Sequence, residues 1–436
     1  MFTNIQIENY KGINEKIELD FIAKGRNRDN FNCYYNIDNR TSINRIIGIL
    51  GSNSTGKTSI VSALMFIGSF LQTPIFLDSL INTIREIEED NDLSEKEKET
   101  LKKKVNLIKN GPSFQNQNIN SEAKSTFLSV EMYIDSKENY TGFYKYTLEY
   151  SREYNMVLRE SLDYKKNLKA IYKIIISNEK DTKSKVGDLY RNYKNLIDMN
   201  VKLSDKENNS NLFKYIETFI ENYLDNTRVF YASNLINIDE EDFIEELNSK
   251  EKISFYSNIL NMIDARLINL KKENDKIYII NNKGNKLKFE YLSDGTLRCL
   301  TILYNMIKIV KNGGILVIDE LELNLSMDLI KLLINLFINS SSESQLIFTT
   351  NISQIFDVED IDGKYIFKQD MVQLLYTDDN ENANIKKLLD YRDENGARIK
   401  NLQTFCKKYS ENKMKLGFSN YKIEKVLNSS KNIQNF

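Results

Sequence analysis

Eight residues constrain this chain more than any others: Gly51-Ser52-Asn53-Ser54-Thr55-Gly56-Lys57-Thr58, which match the spacing G-x-x-x-x-G-K-[ST]. They follow a compact apolar run, Ile46-Ile47-Gly48-Ile49-Leu50, and open a strongly apolar segment over residues 57–70 whose spacing predicts a helix. A buried strand that runs through a glycine-rich loop into a helix N-terminus puts the loop at a strand's carboxyl end, where open α/β sheets bind ligands. There the backbone N–H groups from Gly51 to Ser59 can wrap phosphate oxygens, and the helix dipole favours the anion. In such a loop Lys57 reaches the β/γ oxygens and the Thr58 hydroxyl binds Mg²⁺.

The later part of the chain supplies the matching carboxylates. Ile315-Leu316-Val317-Ile318 predicts a strand buried on both faces, and it ends in Asp319 and Glu320. Asp319 can hold Mg²⁺, and Glu320 can orient and polarise an attacking water. Helices are predicted over residues 297–310 and 327–339 and a further strand over 346–350, a βαβ punctuation that implies a parallel sheet. The segment Leu292-Ser293-Asp294-Gly295-Thr296-Leu297-Arg298 opens the first of these helices, and Ser293 with the free backbone of Gly295 makes another anion-binding helix start.

Composition removes competing chemistries. No histidine occurs in 436 residues, so a Ser-His-Asp triad, a histidine-dependent nuclease centre and a His-ligated zinc are excluded. Cys33, Cys299 and Cys406 are odd in number and far apart, which rules out a disulfide framework or a four-cysteine zinc site and fits a reducing cytosol. With 60 Lys+Arg against 62 Asp+Glu the net charge is −2, far from a nucleic-acid coat. The opening MFTNIQIENYKGI lacks a basic-then-apolar signal and no stretch approaches 18 apolar residues, so a cytoplasmic chain with no membrane partner is expected. Only 16 glycines and two prolines leave few breakers, which favours helical insertions.

Along the chain, Phe2, Ile5, Ile7 and then Ile17, Leu19, Phe21 alternate with polar residues and predict an edge hairpin turning around residues 11–14. Residues 1–77 are read as an N-terminal lobe carrying the phosphate loop, 78–110 as an acidic helical hairpin, and 111–164 as a three-stranded antiparallel meander forming a second sheet. Residues 165–272 are read as a mainly helical insertion, 273–400 as the C-terminal lobe with the carboxylates, beginning with strand-like runs over 277–280 and 287–291, and 401–436 as a basic tail. Residues 396–436 hold nine Lys/Arg and two Asp/Glu, with Phe405, Tyr409, Phe418 and Tyr421 interleaved. That pattern can grip a nucleic-acid backbone or dock on the acidic body.

The combination of phosphate loop, long insertion, LSxGxxR and Asp-Glu resembles the ABC-type ATPases of the SMC, RecF and overcoming-lysogenization-defect group. FTNIQIENYKGINEKIELDF, YNMVLRESLDY and SQLIFTTNISQIFDVEDI extend the resemblance to the ATPases of bacterial abortive-infection and anti-phage defence loci. The resemblance implies an ABC-type P-loop head of the α/β class, a mixed sheet with an antiparallel N-terminal subdomain and helical insertions. It implies ATP and Mg²⁺ as cofactors, a homodimer in which Ser293 and Gly295 of one subunit complete the partner's ATP site, and a separate effector or toxin protein. Family members carry a histidine where this chain has Asn351, after Thr349-Thr350, and another where it has Ser326. Asn351 can hydrogen-bond a γ-phosphate but carries no proton or charge, so slow turnover is expected. Gln115 and Gln117, near where a metal-contacting glutamine sits in the family, are read as solvated loop residues.

Two other readings stand beside the switch ATPase. One is a scaffold in which ATP is structural and a toxin is held without turnover. The other is a DNA-repair ATPase of the SMC or RecF kind, although insertions this short exclude a long coiled-coil arm.

Overall fold

The computed structural model describes residues 1–23, 31–75, 98, 125–136, 139–151, 153–154, 156–181, 184–198, 206–231, 240–273, 276–340, 343–378, 380, 382–392, 398 and 401–410. The helical hairpin expected over 78–110, Gln115 and Gln117, and the tail beyond residue 410 with Phe418 and Tyr421 lie outside the described residues.

The chain starts on β1 (Phe2–Glu8), turns through a tight Tyr10–Ile13 backbone pair and returns antiparallel as β2 (Ile17–Asp20), with Ile5 opposite Leu19 and Ile7 opposite Ile17. Three short strands, β3 (Ile22–Ala23), β4 (Tyr34–Asn36) and β5 (Ser42–Asn44), form a small antiparallel sheet that leads into β6 (Ile46–Gly51). Helix α1 (Lys57–Ile75) follows the phosphate loop. Next come β7 (Thr126–Ile134), antiparallel to β1, and β8 (Gly142–Ser151), β9 (Met156–Lys165) and β10 (Lys173–Asn178), each antiparallel to the one before. Helices α2 (Lys185–Asp198) and α3 (Lys206–Ile220) precede β11 (Thr227–Phe230), and α4 (Glu240–Glu246) and α5 (Lys250–Ile263) follow it. A second small sheet, β12 (Leu267–Glu273), β13 (Lys276–Asn281) and β14 (Lys286–Lys288), leads to α6 (Asp294–Asn312). The chain then runs through β15 (Ile315–Ile318), α7 (Met327–Ile338), β16 (Gln345–Thr350), β17 (Val372–Thr377), β18 (Ala383–Lys387) and α8 (Leu402–Ser410).

Two six-stranded sheets organise the molecule. One is antiparallel, ordered β10-β9-β8-β7-β1-β2; the other is ordered β11-β15-β16-β6-β17-β18 and is parallel except for β18. The mixed α/β class with an antiparallel N-terminal subdomain is the one the family resemblance implies. The apolar runs of the parallel strands are continuous because both faces are covered. Ile47, Ile49, Ile315, Val317 and Ile347 pack toward α1 and the antiparallel sheet, whereas Ile46, Leu50, Leu316, Ile318 and Phe348 pack toward α6 and α7. Gln345, wholly buried, joins the sheets: its Oε1 accepts from Phe2 N at 2.8 Å, and its Nε2 donates to Phe2 O and Asn44 O, both at 3.0 Å.

Tertiary pairing changes three local expectations. The opening hairpin does lie at a sheet edge, with β2 outermost, but β1 also pairs with β7, so the hairpin belongs to the same sheet as the meander rather than to a separate one. The meander has four strands; β10 falls in a stretch whose lysines and apolar spacing suggest helix, and it is strand because Ile174 and Ile176 pair with Asp163 and Leu162 across a bulge. Residues 289–291, read as strand, form a 3₁₀ turn, Phe289–Tyr291, that positions the start of α6. Among the described residues no helix is long and apolar enough to cross a membrane.

Candidate active site

The phosphate loop is shaped by backbone geometry before any side chain acts. Ser54 has φ +67° and Gly56 φ +103°, positive-φ conformations of the kind from which backbone amides build anion-binding concavities. Gly51 is required by close approach: a Cβ there would lie 2.7 Å from Thr55 Oγ1 and 2.8 Å from Leu375 O. Thr55, buried, donates to Ser52 O at 2.8 Å and braces the loop from within. The β1–β2 turn backs it, with Gly12 against buried Ser59 and Ile13 beside Gly56.

Lys57 is 5% exposed, and its Nζ donates to Gly51 O at 2.7 Å and Ser52 O at 2.8 Å. Burial pulls its ammonium below the usual lysine range, and the carboxylates of Glu322, Glu320 and Asp319 oppose that shift. The next residue reaches across the fold: Thr58 Oγ1 donates to Asp319 Oδ2 at 2.9 Å. Two adjacent oxygen donors suit Mg²⁺, which takes one or two protein oxygens and completes its octahedron with water and phosphate. Among the described residues no group of three or more Cys, Asp or Glu side chains is placed to hold a metal alone.

Asp319 and Glu320 close β15. Thr349 Oγ1 donates to Asp319 Oδ1 at 2.7 Å and accepts from Glu320 N at 2.8 Å. Glu320 itself has φ +50°. Arg298, fully buried on α6, donates from Nη2 to Glu320 O at 2.6 Å and Asp319 O at 3.2 Å. Burial lowers the Arg298 pKa, opposed by Glu320, Glu322 and Asp319. Asn351 follows the end of β16; its N–H donates to Glu322 Oε1 at 2.8 Å and its Nδ2 reaches Asn53 Oδ1 of the phosphate loop at 3.4 Å.

The structure therefore brings Gly51 to Thr58, Asp319, Glu320 and Asn351 into one cluster. Ser293 and Gly295 are engaged elsewhere. Ser293 caps α6, sharing a 2.8 Å hydroxyl pair with Thr296 and accepting from Thr296 N at 3.3 Å. A Cβ on Gly295 would lie 2.6 Å from Asn324 O, so glycine there permits α6 to lie against the turn that follows the carboxylates. Ser326 caps α7 through Leu329 N at 3.4 Å.

Sequence reasoning passed over three residues. Arg298 and Glu322 were visible in LSDGTLR and Asp-Glu-Leu-Glu without a role, and Thr349 was visible only as part of Thr-Thr. A signal existed for Glu322, a third carboxylate two positions after Glu320. One of its oxygens, Oε2, is buried without a hydrogen-bond partner beside the loop lysine's field.

Solved structures similar to this chain include SMC heads. The SMC head domain from Thermotoga maritima is 12% identical, with 88% of this chain and 98% of that one covered and a TM-score of 0.37. An Smc head bound to the C-terminal winged-helix domain of ScpA is 15% identical, covering 88% and 96% with a TM-score of 0.38. An Smc head with an extended coiled coil bound to the C-terminal domain of ScpA, derived from Pyrococcus furiosus, is 15% identical, covering 88% and 95% with a TM-score of 0.35. No curated protein matches the chain. Residues 46–351, which run from the phosphate-loop strand to Asn351, match the family described as "AAA domain, putative AbiEii toxin, Type IV TA system", and the chain belongs to that family.

Proposed function

We propose that the chain is a slow ATPase acting as a switch, in which two copies clamp ATP and Mg²⁺ between their heads and so control a separate effector or toxin protein in bacterial anti-phage defence. The observation that carries this reading is the hydrogen-bonded run from Thr58 through Asp319 and Thr349 to Glu320, which gathers a loop hydroxyl, a metal-type carboxylate and a water-activating carboxylate. Lys57 and the loop amides bind the phosphates, and Glu320 orients the attacking water and takes its proton. Mg²⁺, held by Thr58 and Asp319, would neutralise charge on the phosphate oxygens. Asn351, bonded to Asn53, can donate to the γ-phosphate without supplying charge, which supports slow turnover. Ser293 and Gly295 would complete the partner's site. The family description, with its putative AbiEii toxin and type IV toxin–antitoxin system, supports a defence role with a partner protein, and the same reading places the chain in the cytoplasm.

The non-titrating Asn351 also favours a second reading, an ATP-bound scaffold that holds a toxin without turnover. Nucleic-acid contact has less support, because Phe405 is buried on α8 and Tyr409 packs against the core, so neither ring is presented to bases.

Mg²⁺-dependent ATP turnover of the full chain, beside Lys57→Ala and Glu320→Gln, tests the proposal. Slow turnover lost in both variants, with ATP binding lost only in Lys57→Ala, is the expected result. Turnover of Glu320→Gln equal to the unaltered chain would overturn the assignment, and ATP binding without turnover in the unaltered chain would leave the scaffold.

A further inference from the structure

Glu320 combines a reactive role with an unfavourable backbone. Its φ of +50° lies in the left-handed region, which a non-glycine side chain occupies only when neighbours hold it there. Four hydrogen bonds do so, and two come from one residue. Thr349 Oγ1 accepts the Glu320 N–H at 2.8 Å, and Thr349 O accepts the Leu321 N–H at 3.1 Å, so the amides on both sides of the Glu320 Cα are bound to Thr349. Arg298 Nη2 and the Leu323 N–H both donate to the Glu320 carbonyl, at 2.6 Å and 3.0 Å.

The proton count makes the Thr349 hydroxyl directional. A backbone N–H can only donate, so the hydroxyl accepts from Glu320, and its single proton goes to Asp319 Oδ1 at 2.7 Å. The other Asp319 oxygen accepts from Thr58 at 2.9 Å. Thr349 is wholly buried in β16, next to β15, and its β-branched side chain has little rotamer freedom. One stiff hydroxyl thus ties the metal-side carboxylate to the backbone of the water-side carboxylate.

We propose that Thr349 is a positioning residue for hydrolysis: its hydroxyl holds Glu320 in the left-handed conformation from which the carboxylate acts and sets that conformation relative to Asp319. This rests on the ATPase reading above. Thr349 touches neither phosphate nor water in this role, and its effect falls on the chemical step rather than on ATP binding, which belongs to the loop.

The test compares the full chain with Thr349→Val, of the same shape but without the hydroxyl, and Thr349→Ser, which keeps it. Steady-state Mg²⁺-ATP turnover and the Kd for a fluorescent ATP analogue are measured together, with thermal melting to establish folding. Thr349→Val should lose about 10- to 100-fold in kcat with Kd changed by less than about threefold, as for a hydrogen bond to a charged group that matters in the transition state. Thr349→Ser should recover most of kcat. Wild-type kcat in Thr349→Val, or an equal loss of kcat and ATP affinity, overturns the proposal and leaves the ATPase reading intact. Should Val prevent folding, a folded Thr349→Ser with kcat reduced as far as Glu320→Gln overturns it, and near-normal kcat supports it. An unaltered chain without turnover refutes the ATPase reading and this proposal with it.

Discussion

Gly295→Ala isolates a contact that acts before any ligand or second copy arrives. The added methyl would lie 2.6 Å from Asn324 O, a backbone atom in a turn already held by left-handed residues at Glu320 and Asn324. No flexible side chain can move aside, so α6 or the turn must shift. Overpacking of this kind costs about 1–3 kcal/mol. Unfolding entropy of about 2.1 cal/mol/K per residue gives the chain about 0.9 kcal/mol/K, so Tm should fall by about 1–3 °C. The assay is calorimetric melting of the nucleotide-free chain. Gly68→Ala serves as a control of opposite sign: it lies inside α1, its Cβ would meet Tyr223 at an ordinary 3.7 Å, and removing a mid-helix glycine should stabilise by about 0.5–1 kcal/mol. An unchanged Tm in Gly295→Ala, with the expected rise in Gly68→Ala, would refute the claim that packing within one chain demands glycine at 295.

Gln345→Leu strips hydrogen bonds from Phe2 N, Phe2 O and Asn44 O, and at about 1–3 kcal/mol per buried group it should destabilise by about 3 kcal/mol or more in urea denaturation; a loss below about 1 kcal/mol would show that the two sheets do not depend on this staple. Glu160, 1% exposed, accepts from Tyr146 Oη, Ser184 Oγ and Lys185 N, all at 2.7 Å, yet burial raises its pKa above the ordinary 4.5. A raised carboxyl pKa contributes stability that is fully present below the ordinary value and is lost as pH rises through the folded value. The stability of the unaltered chain relative to Glu160→Gln should therefore shrink from pH 4.5 toward 8, and a difference that widens over that range would contradict the assignment. Burial pushes the thiols of Cys33 and Cys299 up to about 12 and that of Cys406 higher still, so a disulfide reagent at pH 8 should label none in the native chain and all three in guanidinium. Rapid labelling of a native cysteine would refute the packing around it.

The phosphate loop was legible because its parts are contiguous: eight residues carry the glycines, the lysine and the hydroxyl, and the flanking runs declare the strand and helix that hold them. Asp319 and Glu320 were legible for the same reason, since four apolar residues ahead of them predict a strand with a carboxyl end. Sheet membership was not. Period-two alternation tells which residues of β1 point inward, but not that β7, more than a hundred residues later, pairs on its free side. β10 escaped notice because lysine-rich spacing reads as helix until an antiparallel neighbour supplies its backbone partners.

What the sequence determined by itself is the class of chemistry: a phosphate loop, two carboxylates at a strand end, and no imidazole to compete with them. Tertiary structure alone decided how those groups are held. Thr58 meets Asp319 across 261 positions of sequence, Thr349 meets Asp319 across 30, and Arg298 reaches Glu320 across 22. The left-handed turn at Glu320 has no local residue to announce it, because glutamate does not favour that conformation. It exists because buried partners from β16 and α6 take up its backbone groups, and such partners become neighbours only when the parallel sheet brings their strands and helices side by side.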